Sequence, residues 1–227
     1  MFNVIQNCFR ALTQPASQNQ SYSQRPKPPT PVRKFSTDLD EFAIPYDELP
    51  DSESFNYMTL NEAEKQHRLV DKNNKLIGDL KTAYKCFEAY AKLNQIKAKY
   101  YKAYYISRGY VNCTEADIDP KEKDKIVAEL FKEVADDEAN EFPEAKLRYG
   151  DCLYNGKGVR QDWAEALKYF EKAAENGLKV AMYNAGNLHF RGVASKRDEA
   201  KAIYYMKLAA YNEYLPAIKF CKEHNIK

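Results

Sequence analysis

The residues able to carry chemistry are few and scattered. His67, His189 and His224 stand apart, and the five cysteines, Cys8, Cys86, Cys113, Cys152 and Cys221, are odd in number with no C-x-x-C pair. A metal site needs clustered ligands, and a disulfide framework needs paired cysteines at regular spacing. Neither is expected, and no cofactor is. The pattern suits reduced thiols in a cytoplasmic protein. No phosphate-cradling glycine loop, H-E-x-x-H or nucleophile elbow occurs. His67-Arg68-Leu69-Val70-Asp71 has the outline of a kinase catalytic loop. Its aspartate falls two places late, and neither a D-F-G nor a glycine loop goes with it. Asp136-Asp137-Glu138 reads as a short solvated acidic run in a loop.

Two stretches suit binding instead. Arg25-Pro-Lys-Pro28-Pro-Thr-Pro31-Val-Arg33 contains Arg-x-x-Pro-x-x-Pro and Pro-x-x-Pro-x-Arg. A polyproline II helix of this kind lays its prolines in an aromatic groove, and the arginine meets an acidic rim, as in SH3-type ligands. The plainer reading is a stiff basic linker. Thr30-Pro31 and Arg33-x-x-Ser36 are sites where phosphate would cut the local positive charge. The second stretch runs from residue 97 to 108, where Lys97, Lys99, Tyr100, Tyr101, Lys102, Tyr104, Tyr105 and Arg108 interleave bases with aromatics. Such a helix could stack and neutralise a single RNA strand. Against this, Ala98, Tyr101, Tyr104 and Tyr105 fall at the helical spacing of a buried stripe.

The 227 residues carry a net charge of +2, which does not favour a protein that seeks polyanions by charge alone. No apolar run approaches the about 18 residues of a membrane helix, and the N-terminus makes a poor signal peptide. Composition divides the chain. Residues 1–37 hold five basic residues and no acid, residues 38–64 hold nine acids and no base, and seven of ten prolines precede residue 51. A Gln-, Ser- and Pro-rich segment with blocked charge buries too little apolar surface to offset its ordering entropy. Residues 1–60 are therefore expected to be a disordered tail. Phe2, Ile5, Phe9 and Leu12 could make one short amphipathic helix at its tip. Residues 61–78 read as a polar lead-in.

The remainder, 79–227, repeats itself. Asp162, Ala166, Phe170, Ala174 and Ala181 recur 36 residues on as Asp198, Ala202, Met206, Ala210 and Ala217. They recur 83 residues back as Asp79, Ala83, Phe87, Ala91 and Ala98. Gly109, Gly156 and Gly192 each follow the second-helix alanine (Ala98, Ala145, Ala181) by eleven residues, and Gly150 and Gly186 are also 36 apart. Four units follow, at about 79–115, 124–160, 162–197 and 198–227, with the insertion 113–124 between the first two.

Each unit reads as two helices. Asp162 is a good N-cap, since its carboxylate can accept the unpaired N–H groups of the first turn. Ala166, Tyr169, Phe170, Ala173 and Ala174 form a stripe at three-four spacing, and Asn176-Gly177 supplies a stop. A second helix over 179–190 ends at Gly192. Helices approach closely only where side chains are small, so the alanines and in-helix glycines mark contacts and the tyrosine surplus fills the core. A unit that cannot bury its apolar face alone stacks on its neighbours, which predicts an all-α solenoid.

These residues resemble Sel1-like repeats. The likeness is fullest in Ala145–Val159 joined to Asp162–Gly177 and Ala181–Gly192, with the pattern Gly-x-Gly-Val before Asp-x3-Ala-x2-Tyr-Phe. The first unit has Arg108-Gly109-Tyr110-Val111 in place of that loop, and the last lacks it. The resemblance covers about 79–227 and implies α/α relatives of tetratricopeptide repeats. It further implies a non-catalytic scaffold or adaptor, with protein partners in signalling or complex assembly and often a kinase-linked complex. By analogy with related solenoids, the first helices line the concave side, so Lys85, Glu88, Glu165, Lys168, Glu171, Lys207 and Tyr205 are candidate contacts. The alternative function is an RNA-binding helical repeat using the Tyr/Lys helix.

Overall fold

The computed structural model describes residues 58–110, 119–139 and 141–226. The proline motif, the tail and part of the insertion lie outside these residues. Among the described residues the chain forms nine α-helices. They are α1 (Leu60–Arg68), α2 (Leu80–Lys92), α3 (Ile96–Arg108), α4 (Pro120–Ala135) and α5 (Pro143–Asn155). They continue as α6 (Trp163–Glu175), α7 (Lys179–Arg191), α8 (Glu199–Tyr211) and α9 (Leu215–Glu223). Each helix packs chiefly on the one before it and the one after it in the chain. The result is an all-α solenoid of four helix pairs, α2–α3 to α8–α9, preceded by α1.

The starts of the first helices follow from one residue type. The carboxylates of Asp79, Asp162 and Asp198 accept the N–H of Thr82, Glu165 and Lys201 at 3.0, 2.9 and 3.0 Å. Each satisfies an otherwise unpaired donor of the first turn. Asp119 caps α4 in the same way, with Pro120 at the first helical position, where its missing N–H costs nothing. The second half of the stretch read as an insertion is therefore the first turn of α4. Second helices stop at glycine: Gly109, Gly156 and Gly192 follow α3, α5 and α7 with φ of 62°, 68° and 64°. Between the helices of a pair, Asn94, Gly177 and Glu213 occupy equivalent left-handed positions.

The repeated alanines are the floor of the core. Ala83, Ala98, Ala145, Ala166, Ala181, Ala202 and Ala217 are fully buried, whereas Ala91 and Ala210 sit half-buried at its edge. One contact recurs. A Cβ on Gly150 of α5 would lie 2.7 Å from the Phe170 ring of α6, and one on Gly186 of α7 would lie 3.2 Å from Met206 of α8. A second helix thus offers a bare backbone on which the next first helix seats a large side chain. Ala103 of α3, fully buried, holds the same register position one pair earlier. Six tyrosines, Tyr84, Tyr90, Tyr101, Tyr105, Tyr149 and Tyr169, are buried in this core, and others pack partly buried against it.

Helix α1 lies in the stretch read as a polar lead-in. Thr59 and Glu62 form a reciprocal capping box, the Thr59 N–H donating to Glu62 at 2.8 Å. Ala63 is buried against the α2–α3 pair, and the His67 Nδ1 lies 3.2 Å from the Tyr105 hydroxyl. Asp71, in the turn that follows, accepts the N–H of Asn73 and Lys75 at 2.7 and 2.9 Å. The kinase-like string is thus a helix end and a turn.

Candidate partner-binding surface

The six charged residues expected on the first helices are spread over α2, α6 and α8. Lys85 and Lys168 are exposed, and Lys168 pairs with Glu165 one turn away at 2.7 Å. Glu88 accepts from Lys102 of α3 at 3.3 Å, and Lys207 is half-buried on α8. Glu171 does other work. Its carboxylate lies 2.9 Å from Nε2 of His189 on α7, whose ring is parallel to Tyr205 of α8 at 5.9 Å. His189 is only 3 % exposed. The carboxylate supplies a partner for Nε2, Nδ1 is buried without one, and the Tyr205 ring covers the imidazole. Burial, then the Glu171 charge, raises the Tyr205 hydroxyl to about 12. Glu171 and Tyr205 therefore help to hold three helices together.

The Tyr/Lys helix is used up in the same way. Lys97 of α3 bridges to Glu64 and donates to Asn61 at 3.0 Å, Lys99 bridges to Glu133 at 2.6 Å, and Lys102 to Glu88. Tyr101 and Tyr105 are buried, and Tyr100 stacks on Phe142 at 4.7 Å. Three of its cations thus join α3 to α1, α2 and α4, and its rings have faces against protein. Stacking on a nucleobase needs open ring faces.

The acidic run is partly structural too. Asp136 accepts the Tyr169 hydroxyl at 2.6 Å and pairs with Lys132 at 2.6 Å. Burial raises its carboxyl, but these two partners together bring it below the ordinary value. The loop borders a polar cleft of about 500 Å³ with Lys146, Lys172 and Glu175.

A second cleft, of about 650 Å³, has a different character. Tyr149 and Leu153 of α5, Val159 of the following loop, Trp163 of α6 and Val193-Ala194 after α7 line it, with Arg160, Gln161 and Asp162 at its rim. The loop is fixed from several sides. Gly158 has φ +73°, and a Cβ there would lie 2.0 Å from the Asp124 carbonyl oxygen, so only glycine lets the loop reach α4. Lys157 pairs with Asp124 at 3.3 Å. The Tyr154 carbonyl accepts from both the Gln161 amide at 2.9 Å and the Trp163 indole N–H at 3.1 Å. The indole is therefore held in place while 37 % exposed. A pinned, half-open aromatic ring beside Val159, Val193 and Ala194 can seat an apolar side chain of a partner at little entropic cost.

The sequence was also compared with protein families. Residues 143–178 and 179–214 each match the Sel1 repeat. The chain carries Sel1 repeats. A relative, chitin synthase regulatory factor 2 of Schizosaccharomyces pombe, is 39% identical over 88 residues. The match covers 38% of this chain and 17% of that protein. In overall architecture the chain resembles a Sel1 repeat protein from Oxalobacter formigenes (TM-score 0.56, 23% identity, 74% of this chain and 62% of that one). It also resembles a protective antigen of uropathogenic Escherichia coli strains with an SLR fold (TM-score 0.52, 21% identity, 70% of this chain and 34% of that one). This chain thus spans less than two thirds of the length of each of these proteins.

The Sel1 matches run from second helix to first helix, α5–α6 and α7–α8, half a unit out of step with the helix pairs. In that phase the Trp163 cleft lies at the joint of two Sel1 repeats, with Tyr149 to Ala164 from one and Val193-Ala194 from the other. Sequence reading missed this cleft because its lining comes from loops about 36 residues apart. One signal was present. Trp163 is the single tryptophan, at a position occupied by Leu80 and Glu199 in other units, where the repeat needs no large ring. Among the described residues no helix is long and apolar enough to cross a membrane. Nor is any group of three or more His, Cys, Asp or Glu placed to hold a metal.

Proposed function

We propose that this chain is a non-catalytic adaptor that binds a protein partner in the cleft at the joint of its two Sel1 repeats. The carrying observation is Trp163, pinned through its N–H and more than a third exposed. The occupant is an extended segment that sets an apolar side chain against the indole and meets Arg160 and Asp162 at the rim. Likeness to a regulatory factor supports a role in assembling or controlling another protein, in signalling or complex assembly, with a kinase-linked complex among the candidates. The unpaired, buried thiols of Cys86 and Cys152, raised by burial, suit a structural role in the cytoplasm. Lys85, Glu165 and Lys168 remain candidate secondary contacts, and Arg25, Pro28, Pro31 and Arg33 remain a candidate ligand for an SH3-type domain.

Affinity purification of the full chain and of Trp163→Ala, with and without nuclease, tests this. A protein set held by the wild type, insensitive to nuclease and reduced at least tenfold in the variant at unchanged helicity, is expected. Recovery that collapses with nuclease would overturn the adaptor reading in favour of RNA. An unchanged set with Trp163→Ala would remove the cleft from it.

A further inference from the structure

The last pair carries an apolar stripe that its predecessors lack. Tyr204, Leu208 and Tyr211 follow one another at four and three residues on α8, and Leu215 continues the line at the start of α9. Tyr204, Tyr211 and Leu215 are 60, 73 and 76 % exposed. On its other side α8 buries Ala202, Met206 and Ala209 against α7, so this helix is apolar nearly all round.

An unfinished end of the array is the first explanation to test, and the repeat itself argues against it. The positions 36 residues earlier are Lys168, Lys172, Glu175 and Lys179, all charged and all exposed although another pair stacks beyond them. In α4 the same face carries Glu129 and Glu133, also exposed. In the second and third pairs a following repeat thus leaves this face open, whereas in the first pair Ala89 at the Leu208 position is buried. The change from charge to aromatic in the last pair therefore marks a surface that something other than a further repeat covers.

Charge selects the occupant. Lys201 and Lys207 flank Tyr204 at three residues either way, and Lys219 and Lys222 follow Leu215 on its own face of α9. Between residues 200 and 222 the one carboxylate is Glu213, and Glu223 just beyond pairs with Lys219 at 3.7 Å, which leaves basic residues in excess. A complementary segment alternates acids with large apolar side chains. Residues 38–57 do so, with seven acids, no base, and Leu39, Phe42, Ile44, Tyr46, Leu49 and Phe55 among them. Residues 1–37, with five bases and no acid, are unsuited by charge. The segment ends next to Met58, before α1. Twenty extended residues reach about 66 Å. Packed helix axes lie about 10 Å apart, and a two-layer stack advances about half that per helix, so the seven steps from α1 to α8 fall within reach. Tethering makes even weak docking effective, at millimolar local concentration.

We propose that residues 38–47 of this chain dock, within the same molecule, on the Tyr204–Leu208–Tyr211–Leu215 face, with residues 48–57 spanning the distance back to α1. The tail is then an internal competitor that a partner of this face must displace. This face is separate from the Trp163 cleft, so either proposal can fail alone.

Zero-length carbodiimide coupling of lysines to carboxylates in the full chain tests it, using an equal mixture of ¹⁴N and ¹⁵N protein read by mass spectrometry. Expected are links from Lys201, Lys219 or Lys222 to carboxylates between Asp38 and Asp47, with one isotope per linked pair. Tyr204→Ser with Tyr211→Ser should cut them at least fivefold, while the Lys157–Asp124 link, an internal control for the fold, stays constant. In a second variant Asp38→Asn, Asp40→Asn, Glu41→Gln and Asp47→Asn leave the solenoid untouched. It should speed amide exchange across 204–215 at least threefold. Links that are absent, gathered on α2 lysines instead, mixed in isotope, or unchanged in the tyrosine variant would overturn the proposal, as would unchanged exchange in the second.

Discussion

Asp151 illustrates how a single carboxylate works against the fold. It lies on α5 with the Asn184 amide of α7 at 3.4 Å. Burial pushes its carboxyl from 3.8 up to about 6, only partly offset by Arg148. A raised carboxyl means that the folded state holds its proton longer than the unfolded chain does. Its contribution to stability therefore falls as pH rises from about 4 to about 6, and stays low above that. Asp151→Asn should be more stable than the parent at pH 7 by about 2 kcal/mol. The difference should shrink towards zero at pH 4. Urea denaturation of both proteins at pH 4, 5, 6 and 7 checks this, and a variant less stable at pH 7 would contradict it. Asp136 runs the other way, its carboxyl held low by Lys132 and Tyr169. The comparison therefore has to be variant against parent, not one protein across pH.

At the scale of the element, the seat of Phe170 on Gly150 decides how closely α5 and α6 approach. Gly150→Ala gains about 1 kcal/mol of helix propensity. It also places a methyl where the ring now stands, an overpacking cost of typically 1–3 kcal/mol. A net loss of about 1 kcal/mol in denaturant unfolding is expected, with partial recovery on adding Phe170→Leu. A Gly150→Ala variant as stable as the parent would mean that the ring shifts freely. The elements themselves were largely legible in the sequence. An N-cap aspartate, a terminal glycine and an alanine at each close approach act within one turn of helix, so each could be read locally. Helix α1 was not, because only Ala63 of its length is fully buried and the rest reads as polar chain. The beginning of α4 was hidden by its position inside an apparent insertion, although Asp119-Pro120 announced it. The site was less legible than the fold. That Glu171 serves His189 and that Trp163 closes a cleft with Val193 are facts of three-dimensional neighbourhood, with no signature in spacing.

For the whole molecule, the order of neighbours sets the distribution of stability. Each helix leans on the one before and the one after, and among the described helices α1 and α9 each have a single such neighbour. One core cluster runs from Ala103 to Ala217 and another from Ala63 to Tyr105, meeting at Tyr100, Tyr104, Ile106 and Phe142. Ala217 is the one fully buried residue of α9. Native-state hydrogen exchange should therefore be fastest in α9 and slowest across α5–α7, by a factor of about 10² or more. Uniform protection from α2 to α9 would show instead a single unit that opens all at once.

The glycine seats also bear on how such a chain changes length over generations. Gly150 receives Phe170 and Gly186 receives Met206, so the socket ahead of Asp162 and the socket behind it have the same form. A gene segment encoding residues 162–197, copied in tandem, would join to itself and to both flanks through glycine seats of the same form. Duplication or loss of one 36-residue module leaves no orphaned surface to repair. The array can therefore drift in length faster than its individual interfaces drift in sequence.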